Sequence, residues 1–220
     1  MEDARIEWPS RERMQEFAER ISAYEPAVRN VCLFLDGTEI MVQEPTIAER
    51  QNPLYSGKSK NVVVNNILVF APDGCIAHAR MNYPGSYHDV RAMGDLRENL
   101  LTEEWLPRPF SIIADSAFPH TGEFEGRIIT PLKTDELERI NVADINDRRR
   151  YELSVKRVRV AVEWGNAGLK KVWRQLSLKL PFDEVYRSEI LTAVVFLHNF
   201  RVRTTALSQI ATVYEDSVEY

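Results

Sequence analysis

The order of elements legible in this chain predicts a mixed α/β fold arranged around one sheet. Three observations carry that prediction. A strongly β-forming run, Val62 to Phe70, meets a turn at Pro72-Asp73-Gly74 and returns as Cys75 to Met81, an antiparallel hairpin. Two short apolar runs, Val31 to Leu35 and Ser111 to Ala114, read as buried strands. Between Tyr151 and Leu176, residues Tyr151, Val155, Val158, Val162, Gly165, Leu169, Val172 and Leu176 recur at steps of four and three, one face of a long helix.

The remaining elements follow in chain order. Ser10 can cap a helix over residues 11–24, with Met14, Phe17, Ala18 and Ile21 as its apolar stripe. After Val31 to Leu35, Asp36-Gly37-Thr38 reads as a turn and Ile40 to Val42 as a second strand. Residues 44–60 are polar with two prolines and read as a loop. Pro84-Gly85-Ser86 breaks the hairpin's second strand, and Tyr87 to Leu101 looks helical. Ile128-Ile129 is a further short strand. Gly165 and Gly168 weaken the long helix locally, and Pro181 ends it. A last, very apolar helix runs from Asp183 to about Arg203, and the residues after it carry no clear signal.

Of the 220 residues, 44% are hydrophobic and 28% charged, near globular averages, which excludes disordered and collagen-like classes. No run approaches the roughly 20 apolar residues of a membrane span, and the N-terminus lacks a signal-peptide core, so a soluble intracellular protein is expected. Cys32 and Cys75 form no metal or redox motif and sit among apolar neighbours, as buried free thiols do. The formal charge is −5, yet ten Lys or Arg face three acids between Asn146 and Lys179. Such a block suits a polyanion or a solvated helix face.

Three acids stand out by position. Asp36 and Asp115 each end an apolar strand, and Glu163 sits on the long helix among Lys156, Arg159, Asn166 and Lys170. Glu163 reads either as an ion-pair partner of Arg159 or as a ligand within a phosphate-gripping face. Cleaving a phosphodiester needs an activated water and a stabilised leaving oxygen. Two divalent cations held by several carboxylates provide both.

FLDGTEI (34–40), the stretch 81–119 with His88-Asp89 and Asp115, and RVRVAVEWGNAGLKKVWRQL (157–176) with Glu163 together resemble the DDE endonuclease domain of PIF/Harbinger-type transposases. VVFLHNF (194–200) resembles the family's closing helix. The order of the motifs and the spacing of the acids, 79 and then 48 residues, carry the resemblance from about residue 30 to 203. It implies an RNase H-like fold, a five-stranded mixed sheet flanked by helices. It implies that Asp36, Asp115 and Glu163 are catalytic and bind two Mg²⁺ or Mn²⁺ ions, with Asp89 a further, accessory metal-binding carboxylate. DNA is the implied substrate, with Lys156, Arg159, Lys170 and Arg174 on its backbone. A nuclear location and a separate Myb-like DNA-binding partner are also implied.

Within that frame, residues 1–30 form an N-terminal helical extension, 31–203 the catalytic domain and 204–220 a C-terminal tail. The extension has room for one helix, so the family's usual helix-turn-helix is not expected here. Glu39 stands where family members often carry His. The alternative is a domesticated or truncated relative acting as a non-catalytic DNA-binding or interaction module. A haloacid-dehalogenase-type phosphatase fits poorly, because its nucleophile position is Phe34. A serine hydrolase fits poorly too, because Gly85-Ser86 is not a nucleophile elbow. His198, in an apolar helix, reads as a core histidine, and His88 as a cap or part of the site.

Overall fold

The computed structural model describes residues 2–47, 51–132 and 145–215. Helix α1 (Arg11–Tyr24) leads into β1 (Val31–Met41), β2 (Tyr55–Ser56), β3 (Asn61–Phe70) and β4 (Ile76–Pro84). Two short helices, α2 (Asp89–Ala92) and α3 (Asp95–Asn99), precede β5 (Ser111–Ala114) and β6 (Ile128–Ile129). The chain then forms α4 (Ile145–Val172), α5 (Glu184–Thr205) and α6 (Gln209–Glu215).

The strands make one mixed sheet. β1 lies at its centre, antiparallel to β3 and parallel to β5, and β6 follows parallel to β5. β4 and the short β2 both pair antiparallel with β3. This is the RNase H-like arrangement, an antiparallel meander continued by parallel strands. It has six strands rather than the expected five. The extra one is β2, whose two residues are too few to show a period inside a polar loop.

Alternation along β1 sends successive side chains to opposite faces. Phe34 and Ile40 join Leu68, Phe70 and Ile113 beneath α4, with Val158, Val162 and Leu169 supplied by that helix. Leu33 and Leu35 join Ile67, Val69 and Ile112 on the other face, under α1 and the α2–α3 segment (Met14, Phe17, Ala92, Leu96). The sheet is therefore covered on both sides, and the strand runs read as nearly continuous apolar sequence for that reason.

Several expectations hold and several do not. Ser10 caps α1, its Oγ accepting from Arg13 N, and Asp183 caps α5 by accepting from Tyr186 N at 2.8 Å. Both cysteines are free and buried. Asp36-Gly37-Thr38 is not a turn. β1 runs unbroken through it, because each of these residues keeps a partner on β3, from Asp36 opposite Leu68 to Thr38 opposite Asn66. The helix expected over residues 87–101 is two short helices, split at Gly94, whose φ of 53° a helix interior does not adopt. The long helix ends at Val172, and Arg174–Ser177 continue as a 3₁₀ turn. Beyond Arg203, where no element was legible, α6 docks with Ile210, Ala211 and Tyr214 buried; residues 216–220 lie outside the described residues.

Gly165 has a packing role. A Cβ there would stand 2.9 Å from the Phe70 ring. The bare backbone lets α4 settle onto β3, and this close approach sets the height of the helix over the end of β1.

Candidate active site

Asp36 and Asp115 are brought together by strand register. Leu35 pairs with Ala114 across parallel β1 and β5, so Asp36 and Asp115 are the next residues on neighbouring strands. On the alternation of each strand both share the face of Phe34 and Ile113, the face covered by α4. β5 stops at Ala114 while β1 continues paired with β3, so the two carboxylates sit where β1 loses its β5 neighbour.

Burial pushes the Asp36 carboxyl up to about 6. The Gly37 N–H and Arg159 oppose that shift, and the charges of Asp115 and Asp89 add to it. The partner of Asp36 is Asn166 on α4, whose Nδ2 donates to Asp36 Oδ2 at 2.5 Å. Asn166 Oδ1 is buried and has no hydrogen-bond partner. Lys170, one turn further on, is half-buried. It donates from Nζ to the Glu39 carbonyl at 3.2 Å, and burial lowers its pKa while Asp36 and Glu39 oppose the shift.

Glu163 lies on the same helical face as Arg159, Asn166 and Lys170 but points outward. Its side chain is 57% exposed and accepts from Arg159 at 2.8 Å. The ion-pair alternative weighed from sequence is the arrangement seen. Lys156 and Arg174 are exposed. Of the four expected DNA-contacting cations, then, two face solvent, one is paired with Glu163 and one is tucked against β1.

Asp89, the first residue of α2, lies against Gly37. A Cβ on Gly37 would stand 2.6 Å from Asp89 Oδ1. By alternation Gly37 presents the opposite face from Asp36, so Asp89 adds its charge from across the strand. Asn65 holds it there, donating from Nδ2 to Asp89 Oδ1 and to the Tyr87 carbonyl, each at 3.1 Å. The glycine of the DGT motif thus makes room for a carboxylate. Glu39 turns to β2, accepting from Ser56 Oγ at 2.6 Å. His88 occupies the cap position of α2 without a side-chain capping bond. His198 is a core residue whose Nε2 contacts the Gly74 carbonyl at 3.1 Å.

The donor chemistry fits a hard divalent cation, since Asp36, Asp115, Asp89 and Glu163 all offer carboxylate oxygens. Among the described residues, no three His, Cys, Asp or Glu side chains stand close enough to hold a metal ion. Sequence reasoning missed Asn166 and Asn65 as site residues. The available signals were Asn166 three residues after Glu163, on the same helical face, and two amides in the otherwise apolar run NVVVNNILVF.

Among the described residues no helix is long and apolar enough to cross a membrane. A family model described as DDE superfamily endonuclease matches residues 35–199. No curated protein and no solved structure matches the chain.

Proposed function

The chain belongs to the DDE superfamily endonucleases, and we propose that it is a divalent-metal-dependent DNA endonuclease of the PIF/Harbinger transposase type. The observation that carries the reading is the register-locked pair Asp36 and Asp115 under the one helix that bears Glu163. Asp36, Asp115 and Glu163 would hold Mg²⁺ or Mn²⁺, and Asp89 would add negative charge from behind Gly37. Two such ions, when bound, supply an activated water and stabilise the departing 3′ oxygen.

The protein's own groups do the rest. Strand register presents two carboxylates without any loop having to order. Arg159 pairs with Glu163 in this structure and would become free for a phosphate if Glu163 turned toward Asp36. Lys156 and Arg174 meet the DNA backbone without reading sequence, and Lys170 braces α4 against β1 beside Asp36. Residues 31–203 are the catalytic unit, with residues 2–30 and 204–215 packed onto it. By the same resemblance, site selection comes from a Myb-like DNA-binding partner in the nucleus, and the freed 3′ hydroxyl can serve strand transfer.

A second reading has one observation in its favour. Glu163 is engaged by Arg159 rather than turned toward Asp36, as in a relative that keeps the fold as a non-catalytic DNA-binding or interaction module. Nicking of supercoiled plasmid in Mg²⁺ or Mn²⁺ separates the two. Wild type is expected to nick, and Glu163→Gln and Asp115→Asn to lose at least about a hundredfold in rate with DNA affinity kept. Equal nicking by either variant removes the assignment, and no nicking by wild type with either metal favours the second reading.

A further inference from the structure

We propose that Asn166 is a positioning residue for Asp36, the group on α4 that fixes the first carboxylate before a cation arrives. The inference rests on the endonuclease reading of the site.

The argument starts from crowding. Asp36 is half-buried, lies beside Asp115 by register and feels Asp89 across Gly37. A carboxylate so placed is pushed away from its neighbours, and two donors restrain it, the Gly37 N–H and Asn166 Nδ2. Only the second comes from a side chain, and it comes from α4. Asn166 reaches Asp36 because Gly165, its neighbour, lets the helix lie against Phe70. Glu163 and Asn166 are three residues apart and share a face, so one helix both restrains Asp36 and carries the third acid.

The orientation of the amide follows from the same geometry. With Nδ2 at 2.5 Å from Asp36 Oδ2, the reverse amide would set two oxygens against each other at that distance. Nδ2 therefore faces Asp36, and Oδ1 is left buried without a donor. The amide is satisfied solely on the side of the carboxylate, as a group is when its task is to hold an acid in one orientation.

The test uses the full chain and Mn²⁺ alone. Binding is measured by calorimetry for wild type, Asn166→Leu (similar size, no donor) and Asn166→Gln (donor retained). The side-chain amide resonances of Asn166 are followed by NMR in metal-free wild type and Asp36→Asn. Asn166→Leu is expected to weaken Mn²⁺ about 10- to 100-fold, with Asn166→Gln recovering part of the loss. The Asn166 amide resonance is expected to shift when Asp36 becomes Asn. Wild-type Mn²⁺ affinity in a folded Asn166→Leu protein overturns the proposal. If wild type itself binds no Mn²⁺, the endonuclease reading fails and the amide resonance decides separately. Its shift in Asp36→Asn then still supports Asn166 as the orienting group, and an unmoved resonance overturns it.

Discussion

Two pairs of asparagines, three of them buried and Asn166 half-buried, set the packed core of this molecule against the surroundings of its central acids. Asn199 on α5 is completely buried and uses its whole amide. Its Oδ1 accepts from Ile76 N at 2.7 Å, and its Nδ2 donates to the carbonyls of Arg5 and Ile76, both at 2.8 Å. It ties the N-terminal segment, the β3–β4 hairpin and α5 together. Asn66 on β3 is as complete, donating to the Thr38 and Val64 carbonyls and accepting from Asn82 N. Asn166 and Asn65 differ. Each donates to a carboxylate, Asp36 or Asp89, and each leaves a buried Oδ1 unpaired. A structural amide is satisfied at both ends because an orphaned buried acceptor costs free energy. The amides beside the acids are paired on the carboxylate side alone.

The contrast can be broken at several points. Asn199→Leu leaves the Ile76 N–H and two carbonyls without their side-chain partner. It should cost about 3 kcal/mol, lowering the melting temperature by roughly 6–12 °C in a calorimetric scan. A drop of only a degree or two would mean that the hairpin and N-terminal segment find other partners.

Asp36→Asn should do the opposite in metal-free protein. The folded-state pKa of Asp36, about 6, is raised above the usual carboxylate value. Its contribution is therefore fully present below that usual value and is lost as pH rises through about 6. Up to about 3 kcal/mol of stability should disappear from wild type between roughly pH 4 and 7. The variant, with no charge to bury, should lack this decline and melt higher at pH 8. Parallel pH profiles for the two proteins would show that Asp36 is better solvated than its surroundings suggest.

The smallest effect belongs to Glu163. Its pair with Arg159 is an exposed i,i+4 contact, so Glu163→Gln should change stability by no more than about 0.5 kcal/mol, read by urea denaturation. The same substitution is expected to abolish nicking. A large stability loss would instead make Glu163 a structural residue and blunt that assay.

Much of this was legible because it is local. The Ser10 cap, the α1 stripe, the β3–β4 hairpin and the long face of α4 each follow from period and turn chemistry within a few residues. The continuity of β1 through Asp36-Gly37-Thr38 was not legible. A local reading of DGT favours a turn, and only pairing with β3 keeps the strand extended. The two-residue β2 and the docked α6 were hidden for a related reason, since each is too short to declare itself without the surface it packs on.

The sequence by itself determined a mixed α/β chain and offered three acids able to carry metal chemistry, Asp36, Asp115 and Glu163, within the span that matches a DDE superfamily endonuclease. Tertiary structure decided which of them meet. Parallel register of β1 with β5 joins Asp36 to Asp115, and the fit of Gly165 on Phe70 brings Asn166 rather than Glu163 to Asp36. Gly37 was a turn residue in the sequence and is a clearance for Asp89 in the fold. The physical reason is common to all three. Patterning fixes which face a side chain takes, but neighbouring strands and the 130-residue reach from Asn166 to Asp36 depend on register and helix height, which only the packed core sets.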